Sequence, residues 1–320
     1  MTRTLFIGMD GGMSKTEAAV VDENGAVLAF ARGPGSAIMG IPSKSACGSL
    51  LKNAVEACRQ AGVSIADAVR WGIGLSGIDF PDEFERQHAA VAEGLGIPPE
   101  RLKLANDAIA ALWGATKAGA AAIIQHGTAF TAAFRHEPGN ETLFDHLDVG
   151  GMFDIRQELV KAVGRMLDGR LPKTWFTDAA LKHYGIENPD AFAAIAFKRR
   201  INLHLVLSTP PLIFEAWRQH DPTASLLVER AADDYVAAAR AMIERTRADD
   251  ATVCFGGGLI AEGGEALQAL LADKLRTICP GAMVEAPRLK PALGAALMAA
   301  HAHGLDASVL FDALMEAKLP

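Results

Sequence analysis

Short apolar runs alternate along this chain with longer stretches in which apolar residues recur every three or four positions. The short runs predict buried strands, and the longer stretches predict helices with one buried face. The beginning of the chain gives the order three strands, helix, strand, helix, strand, helix. The predicted strands are 5–9, 18–22, 26–31, 71–77 and 102–107, and the predicted helices are 45–61, 82–95 and 108–117. This order predicts an α/β fold with a mixed sheet and helices on its faces.

A comparable order begins again at Ala121. An apolar strand, 121–128, ends in a glycine turn and precedes its hairpin partner, 130–135. A later strand, 251–255, runs into three consecutive glycines. The predicted helices of this half are 156–167, 174–183, 190–198, 224–245, 264–277 and 291–303. The repeated order predicts two domains, residues 1–117 and 118–320, with the helix 291–303 a candidate for packing back on the first.

Composition limits the location and the partners. The chain has 320 residues, and none of its apolar runs is long enough to cross a bilayer. Its first residues lack the charged, apolar and cleavage regions of a signal peptide. A net charge of −7 argues against nucleic acid or an anionic membrane as the main partner. We therefore expect a cytoplasmic protein that binds neither.

The cysteines do not indicate a disulfide or a metal site. Cys47 and Cys58 lie eleven residues apart in one predicted helix, and Cys254 lies in an apolar run. Together with Cys279 they form no CxxC pair and no zinc pattern. We expect buried free thiols.

The turn between the first two strands carries the strongest chemical signal. It reads Asp10-Gly11-Gly12-Met13-Ser14-Lys15-Thr16. Glycines permit close backbone approach, hydroxyls and N–H groups bind phosphate oxygens, and a carboxylate can serve a magnesium ion. The spacing of a Walker A loop is missing, and no long helix follows. The turn therefore predicts a phosphate-binding hairpin, and the alternative is an ordinary glycine-rich hairpin.

Three further loops follow predicted strands, where open α/β sheets place their ligand sites. The second loop is Asn106-Asp107, the third is His126-Gly127-Thr128, and the fourth is Gly256-Gly257-Gly258. A single glycine turn is weak evidence. Two hydroxyl-bearing glycine turns, an acid at a strand end and a triple glycine form a much stronger set.

These loops resemble those of the BadF/BadG/BcrA/BcrD-type ATPases and N-acetylglucosamine kinases, within the actin, hexokinase and Hsp70 superfamily. The similar stretches are Asp-Gly-Gly-x-Ser-Lys-Thr, Asn-Asp-Ala, Gly-Thr, Phe-Gly-Gly-Gly and the helix that contains 291–296. The resemblance implies two ribonuclease-H-like domains with mixed five-stranded sheets flanked by helices, and an ATP cleft between them. It also implies ATP and Mg²⁺ as cofactors, and a homodimer.

The resemblance assigns roles position by position. Asp10 matches the acid that organises magnesium through water. Asp107 matches the base that takes the proton of the acceptor hydroxyl, although it would also suit an N-cap of the helix starting at Ala108. Candidate ATP-binding residues are Gly11, Gly12, Ser14, Lys15, Thr16, Gly127, Thr128, Gly256, Gly257 and Gly258. Candidate substrate-binding residues are Ser76, Gly77, Asn106, Asp107, Gly150, Gly151 and Asp154.

The chain departs from the family pattern around the acceptor. Family sugar kinases carry Gly-Trp-Gly and then Gly-Asp-Glu-Gly-Ser, whereas residues 148–158 here keep a glycine pair and Asp154 alone. Ala37 stands where an asparagine is expected near the acetamido group. Arg156 is interpreted either as a partner of an anionic substrate group or as a surface charge at a helix start. His126 is a base, a ligand or a structural residue, and Asp79 either shapes the acceptor pocket or forms an Asx turn.

The leading hypothesis is an ATP-dependent kinase that acts on a hydroxyl of an amino sugar, N-acetylglucosamine or glucosamine-like. The first alternative is a protein of the same fold that binds nucleotide and sugar but is catalytically weak. The second alternative is an ATP-driven activator of a dehydratase, which needs paired cysteines for a [4Fe–4S] cluster. Because no cysteine lies between Cys58 and Cys254, the cluster would lack its ligands.

Overall fold

The computed structural model describes residues 3–144 and 151–319, and in them the strands form two five-stranded sheets. The first sheet, in the order β3-β2-β1-β4-β5, contains β1 (Leu5–Gly11), β2 (Lys15–Asp22), β3 (Val27–Pro34), β4 (Ala68–Leu75) and β5 (Leu102–Ala105). The second, in the order β10-β9-β6-β7-β8, contains β6 (Ala121–His126), β7 (Phe130–Arg135), β8 (Glu141–Leu143), β9 (Thr252–Gly256) and β10 (Met283–Glu285). Both sheets are mixed, which confirms the predicted fold class.

Each sheet combines an antiparallel hairpin with parallel strands. β1 pairs antiparallel with β2 and parallel with β4, and β4 pairs parallel with β5. In the second sheet β6 pairs antiparallel with β7 and parallel with β9. Parallel strands have their carboxyl ends at one edge of a sheet, so the loops after β1, β4 and β5 lie together, as do those after β6 and β9.

Three helices follow strands of the first sheet: α1 (Lys44–Ala61), α2 (Pro81–Leu95) and α3 (Asp107–Ala115). Helix α1 begins after Ser43, whose side chain accepts the N–H of Ala46, and ends at Gly62 in the left-handed conformation. Helix α3 packs against the second sheet through Ala108 and Leu112, which lie in one buried cluster with Ile123. The helix that begins at Asp107 therefore lies against both halves of the molecule.

The second half of the chain contains seven helices before its last strand, within the described residues. They are α4 (Ile155–Leu167), α5 (Trp175–His183), α6 (Phe192–Phe197), α7 (Leu203–Leu207), α8 (Pro210–Arg218), α9 (Pro222–Thr246) and α10 (Gly258–Ile278). Helix α9 buries one long face, including Leu227, Tyr235 and Met242, in the core of this half. This core also takes in residues of β6, β7 and β9.

The last two helices, α11 (Pro291–Ala302) and α12 (Ala307–Glu316), return to the first sheet. A Cβ on Gly72 of β4 would lie 1.9 Å from the carbonyl oxygen of Ala295. A Cβ on Gly8 of β1 would lie 2.1 Å from that of Ala292. Glycines on the sheet thus allow the backbone of α11 to pack directly against it. The exact division into domains at residues 117 and 118 stays a prediction.

Several short elements differ from the prediction. The sequence patterns do not predict β8 and β10, which have three residues each, or the helices α7, α8 and α12. Helix α10 begins at Gly258, six residues before the predicted start, and contains a kink at Gly264, where φ is 65°. The kink lies where the predicted helix began, because the apolar period is interrupted at Gly263-Gly264.

Across residues 3–144 and 151–319, none of the helices combines the length and the apolar character needed to cross a membrane. Cys47, Cys58 and Cys254 are buried free thiols, as predicted, whereas Cys279 is a free thiol that is only half-buried.

Candidate active site

The turns after β1 and β6 face each other across a cavity of about 260 Å³, which we call the cleft cavity. Its walls come from both sheets and from the start of α3. The lining residues are Asp10, Gly12, Met13, Ser14, Lys15, Ser76, Asp79, Asn106, Asp107, Gln125, Gly127, Thr128, Ala129, Phe130 and Thr131. The structure therefore brings together the first, second and third loops that the sequence predicts.

The first turn, residues 12–14, is closed by a hydrogen bond from the Gly12 N–H to the Lys15 carbonyl (3.0 Å). The Gly12 carbonyl accepts the N–H groups of Ser36 and Ala37 (3.0 and 3.1 Å), so the segment after β3 supports the turn from behind. Ser14 is exposed on the cavity side. Its hydroxyl and the neighbouring backbone are thus available to a ligand.

Three predicted ligand residues lie behind the cavity wall instead of in it. Thr16 is fully buried, and its hydroxyl donates to Ser36 Oγ (2.8 Å). Gly11 packs against Ser36 and Leu75, and the Gly77 backbone lies against the carbonyl of Ile38. These residues therefore support the turn from within the protein: Thr16 is buried, and a Cβ on either glycine would meet neighbouring protein atoms.

Asp10 is the acid at the end of β1. Burial raises the pKa of this carboxyl to about 6; Lys15 opposes the shift and Glu17 adds to it. The Lys15 ammonium is itself paired with Glu17 (2.8 Å). Asp10 is thus a desolvated carboxylate that a cation in the cavity would stabilise.

The donor set at this point fits magnesium delivered with a nucleotide. In the described part of the chain, no group of three or more His, Cys, Asp or Glu side chains is placed to hold a metal ion. Magnesium is commonly bound through one or two carboxylates, with the remaining positions taken by phosphate oxygens and water. Asp10, at the cavity wall opposite the second turn, supplies such a carboxylate.

Asp107 is the first residue of α3 and lines the cleft cavity. The N-cap is Asn106, whose Oδ1 accepts the N–H of Ala108 (2.8 Å), so the alternative interpretation of Asp107 as the cap is wrong. Asp107 Oδ1 lies 3.1 Å from the same N–H. The carboxylate is held at the helix start, on the wall of the cavity that the second turn also lines.

Asn106 connects three parts of the site. Its Nδ2 donates to Asp79 Oδ1 (2.8 Å), and its Oδ1 also accepts the Thr131 hydroxyl (3.3 Å). Thr131 belongs to β7 of the second sheet, so this hydrogen bond bridges the cleft. Ser76, which also lines the cavity, donates its N–H to the Gly11 carbonyl (2.9 Å).

The second turn, residues 127–129, resembles the first in its closure. The Gly127 N–H donates to the Ala129 carbonyl (3.0 Å), and Thr128 is exposed on the cavity side. Behind the turn lies Arg156, which is 3% exposed and donates to the Gly127 and Thr128 carbonyls. Neither sequence-based interpretation of Arg156 is therefore correct: it is not a surface charge, and its guanidinium is occupied by the turn.

The triple glycine after β9 packs against the second turn but does not line the cleft cavity. Gly257 has φ 89°, and a Cβ there would lie 2.6 Å from the backbone of His126. Gly256 pairs with Gln125 in the sheet, and Gly258 opens α10. The fourth loop is thus adjacent to the third.

The predicted acceptor residues of the second half are only partly located. Gly150 lies outside the described residues. Gly151 and Asp154 line a different cavity, of about 610 Å³, formed with α4 and α9. Asp154 caps α4 by accepting the Arg156 N–H (2.9 Å), and its two oxygens also accept the Arg156 side chain. The structure therefore does not bring Asp154 together with Asp107.

Five residues that line the cleft cavity are not among the candidates or alternatives from the sequence: Met13, Gln125, Ala129, Phe130 and Thr131. Gln125 and Thr131 are cross-strand partners in the hairpin of β6 and β7. The polar residues at these two positions, opposite each other beside the glycine turn, are the signal that would have found them.

Solved structures with the same architecture include sugar kinases. A crystal structure from Chromobacterium violaceum, of a protein named as an N-acetylglucosamine kinase, is 27% identical to this chain. Its TM-score is 0.70, over 93% of this chain and 100% of that chain. A ROK family glucokinase from Streptomyces griseus, solved with glucose and AMPPNP, is 20% identical with a TM-score of 0.61, over 91% of this chain and 98% of its own. At that identity the second likeness shows the fold alone.

Two sequence comparisons cover nearly the whole chain. The N-acetyl-D-glucosamine kinase of Dictyostelium discoideum is 26% identical over an alignment 316 positions long, which covers 93% of this chain and 98% of that protein. The profile of the BadF/BadG/BcrA/BcrD ATPase family matches residues 7–299, which include all four loops. The chain belongs to the BadF/BadG/BcrA/BcrD ATPase family, as the four loops predict.

Proposed function

We propose that this protein is an ATP-dependent kinase that transfers the γ-phosphoryl group to a hydroxyl of an amino sugar, N-acetylglucosamine or a glucosamine-like acceptor. One observation carries the proposal: two hydroxyl-bearing turns from different sheets face each other across one cavity, with the Asp107 carboxylate on its wall. Phosphoryl transfer requires mainly positioning and charge neutralisation, which this arrangement is suited to provide.

The nucleotide is proposed to bind with its terminal phosphates between Ser14 and Thr128 and its nucleoside beside the loop 256–258. Exposed N–H and hydroxyl groups on both turns are the donors that phosphate oxygens require. Magnesium, held through Asp10 and the phosphates, would supply neutralisation of the charge that develops on the transferred group. Lys15 lies on the same wall and adds positive charge.

In the proposed reaction the acceptor hydroxyl lies beside Asp107. As the hydroxyl oxygen bonds to the γ-phosphorus, its proton moves to the Asp107 carboxylate. The bond between the γ-phosphorus and the bridging oxygen breaks, and ADP leaves with that oxygen. Asn106 and Asp79, which are hydrogen-bonded to each other, are proposed to orient the sugar beside the base.

The relatives support an amino sugar as the acceptor. The curated relative from Dictyostelium discoideum is named for N-acetyl-D-glucosamine, and it aligns over 93% of this chain. In the stretch from Gly150 to Glu158 this chain lacks most of the acceptor motif that the resemblance to family sugar kinases predicts. We therefore propose an amino sugar as the acceptor class.

One observation favours a second candidate, a catalytically weak protein that binds nucleotide and sugar. Both oxygens of Asp154 accept hydrogen bonds from Arg156 (2.8 Å each), so the acid that stands for the family's sugar-binding motif is already engaged. A protein with this change would keep the two turns that are proposed to bind the nucleotide, but it would bind the acceptor sugar more weakly.

The experiment is a phosphate-transfer assay on the purified chain with ATP, magnesium and a panel of neutral, amino and acidic sugars. We expect an amino sugar to give the fastest formation of ADP and of a sugar phosphate. Asp107→Asn should lower turnover at least about a hundredfold with the fold intact, because it removes the proton acceptor. Circular dichroism would establish that the variant is folded.

The matched control is Asp82→Asn, which changes an exposed carboxylate in the first turn of α2, outside the cleft cavity. It should leave turnover unchanged. Tight binding of ATP and sugar without any product would favour the second candidate. Unchanged turnover in Asp107→Asn would exclude Asp107 as the base.

We also propose that the protein acts in the cytoplasm and as a homodimer. The dimer is an implication of the family resemblance, and light scattering coupled to size-exclusion chromatography tests it directly. A mass of twice the chain is expected, and a monomer at working concentration would contradict it.

A further inference from the structure

A buried arginine holds the second turn from behind. Arg156 donates through Nη1 to the Gly127 carbonyl (2.8 Å) and through Nη2 to the Thr128 carbonyl (3.0 Å). The same guanidinium is fixed by Asp154, which accepts from Nε and Nη2. The arginine thus binds two successive carbonyls of the turn while its own position is set by a bidentate ion pair.

These carbonyl contacts determine where the amide groups of the turn point. Within one peptide plane the C=O and the N–H point in opposite directions. Since the Gly127 and Thr128 carbonyls point toward Arg156, the N–H groups of Thr128 and Ala129 point away from it. They therefore point toward the exposed side of the turn, which lines the cleft cavity. Successive N–H groups that point to one side form an anion-binding concavity.

His126 completes the support. Its Nε2 lies 3.1 Å from Arg156 Nη2, whose two hydrogens are shared among Nε2, the Thr128 carbonyl and Asp154 Oδ2. Because a guanidinium only donates, Nε2 is an acceptor. The proton is then on Nδ1, which donates to the Tyr235 hydroxyl (2.6 Å). Burial is the main reason that the pKa of His126 falls to about 4, so the ring is a neutral acceptor at neutral pH.

We propose that Arg156 is a positioning residue, which holds the second turn so that the Thr128 and Ala129 N–H groups bind the terminal phosphates of the nucleotide. This inference rests on the proposed binding of ATP between the two turns. It also gives a role to the arginine two residues after Asp154. The Asp154–Arg156 pair supports the phosphate-binding turn instead of binding the acceptor sugar.

The test compares the affinities for magnesium–ATP and for AMP, measured by calorimetry. AMP lacks the two terminal phosphates, so it reports the nucleoside part of the site. In Arg156→Met we expect ATP affinity to fall at least about tenfold, because the oriented N–H groups are lost, and AMP affinity to change less than about twofold. Arg156→Lys should also weaken ATP, since a single ammonium does not span the two carbonyls and the carboxylate.

Arg165→Met is the matched control, because Arg165 is an exposed arginine on the same helix, α4. It should bind both nucleotides like the unchanged protein. Arg156→Met leaves the half-buried Asp154 carboxylate without its partner, which can prevent folding. The double variant Asp154→Asn/Arg156→Met removes that charge and should show the same selective loss of ATP affinity.

The outcomes separate this inference from the proposed function. ATP binding by Arg156→Met at the unchanged level, or equal losses for ATP and AMP, would overturn the positioning role. If the wild-type protein binds ATP but phosphorylates no sugar, the proposed kinase function is contradicted. The positioning role of Arg156 is then still supported by the ATP and AMP affinities. An unchanged protein that does not bind ATP would overturn both.

Discussion

At the scale of single residues, the site contains an acid whose environment opposes its charge. Asp10 has its pKa raised to about 6 by burial, and the nearby Lys15 is engaged by Glu17. Such a carboxylate destabilises the protein without a cation and gains more than an exposed one when a cation arrives. Under the proposed function, the arrangement exchanges stability of the free protein for affinity toward a metal-bound phosphate.

We predict that Asp10→Asn stabilises the protein while weakening magnesium–ATP binding. A folded-state pKa above the usual value of 3.8 means that the native state binds more protons between about pH 4 and 6, so Asp10 lowers stability as the pH rises through 6. A shift of two units corresponds to about 3 kcal/mol, and screening by the solvent of the cavity reduces the gain to about 1–2 kcal/mol. Urea unfolding at pH 8 measures it.

The same pair of proteins at lower pH provides the control. Below about pH 4 the carboxyl is protonated in both the native and the unfolded state, so the difference in the free energy of unfolding should shrink as the pH falls from 6 and nearly vanish there. Binding of magnesium–ATP to the unchanged protein should weaken as the pH falls below about 6, because the carboxylate gains its proton. An Asp10→Asn protein that is less stable than the unchanged one at pH 8 would contradict this account of the site.

The sequence alone predicts the residues of the site that come directly after apolar strands. Asp10 and Asp107 are of this kind. A polar residue at the end of a buried strand lies at the edge of the sheet, where its side chain avoids the apolar core. Thr131 lies within a strand, where only the register with Gln125 shows which face it occupies. The burial of Arg156 depends on acceptors that are distant in sequence, which no local pattern contains.

At the scale of elements, the loops of the site are held in position by their contacts with one another. The contact between the loop after β9 and the second turn is an example. Gly257 has φ 89° and ψ 159°, a region that is almost restricted to glycine. A side chain there would also strike the backbone of His126. The glycine after β9 therefore lets the start of α10 approach the second turn.

We predict that Gly257→Ala destabilises the protein by at least about 2 kcal/mol, from the disfavoured φ and the contact with His126. Gly258→Ala is the matched control, because a Cβ at the first position of α10 meets nothing within 4 Å. It should be neutral or stabilise slightly, since alanine favours helix over glycine. Thermal unfolding of both variants decides the matter, and equal melting temperatures would show that this contact is not tight.

Prediction of elements succeeded where the apolar pattern extends over many residues and failed where it is short. Helix α9 spans 25 residues with one buried face, and its period is clear from the sequence. Strands β8 and β10 have three residues each, too few for an alternation to be distinguished from a loop. Their strand character comes from pairing with β7 and β9, which is tertiary information.

At the scale of the whole molecule, the end of the chain completes the half that its beginning starts. Helix α11 is almost entirely buried and lies against β1 and β4, which carry Gly8 and Gly72 at the contact. Helix α3 packs against α11 as well: a Cβ on Gly294 would lie 2.0 Å from the Ala110 carbonyl. The position of Asp107 at the start of α3 therefore depends on residues nearly two hundred positions away.

We predict that Gly72→Ala destabilises the protein by at least about 3 kcal/mol, because the added Cβ would lie 1.9 Å from a backbone oxygen in α11 that has no free space. Gly48→Ala, in the interior of α1 with nothing within 4 Å, should instead stabilise by about 0.5–1 kcal/mol. Calorimetric unfolding of the two variants compares them directly. Helix α11 also supports α3, which carries Asp107. The fraction of Gly72→Ala that remains folded should therefore show a lower turnover per folded molecule in the sugar-kinase assay. A Gly72→Ala protein that melts like the unchanged one would mean that α11 does not pack on the first sheet at this distance.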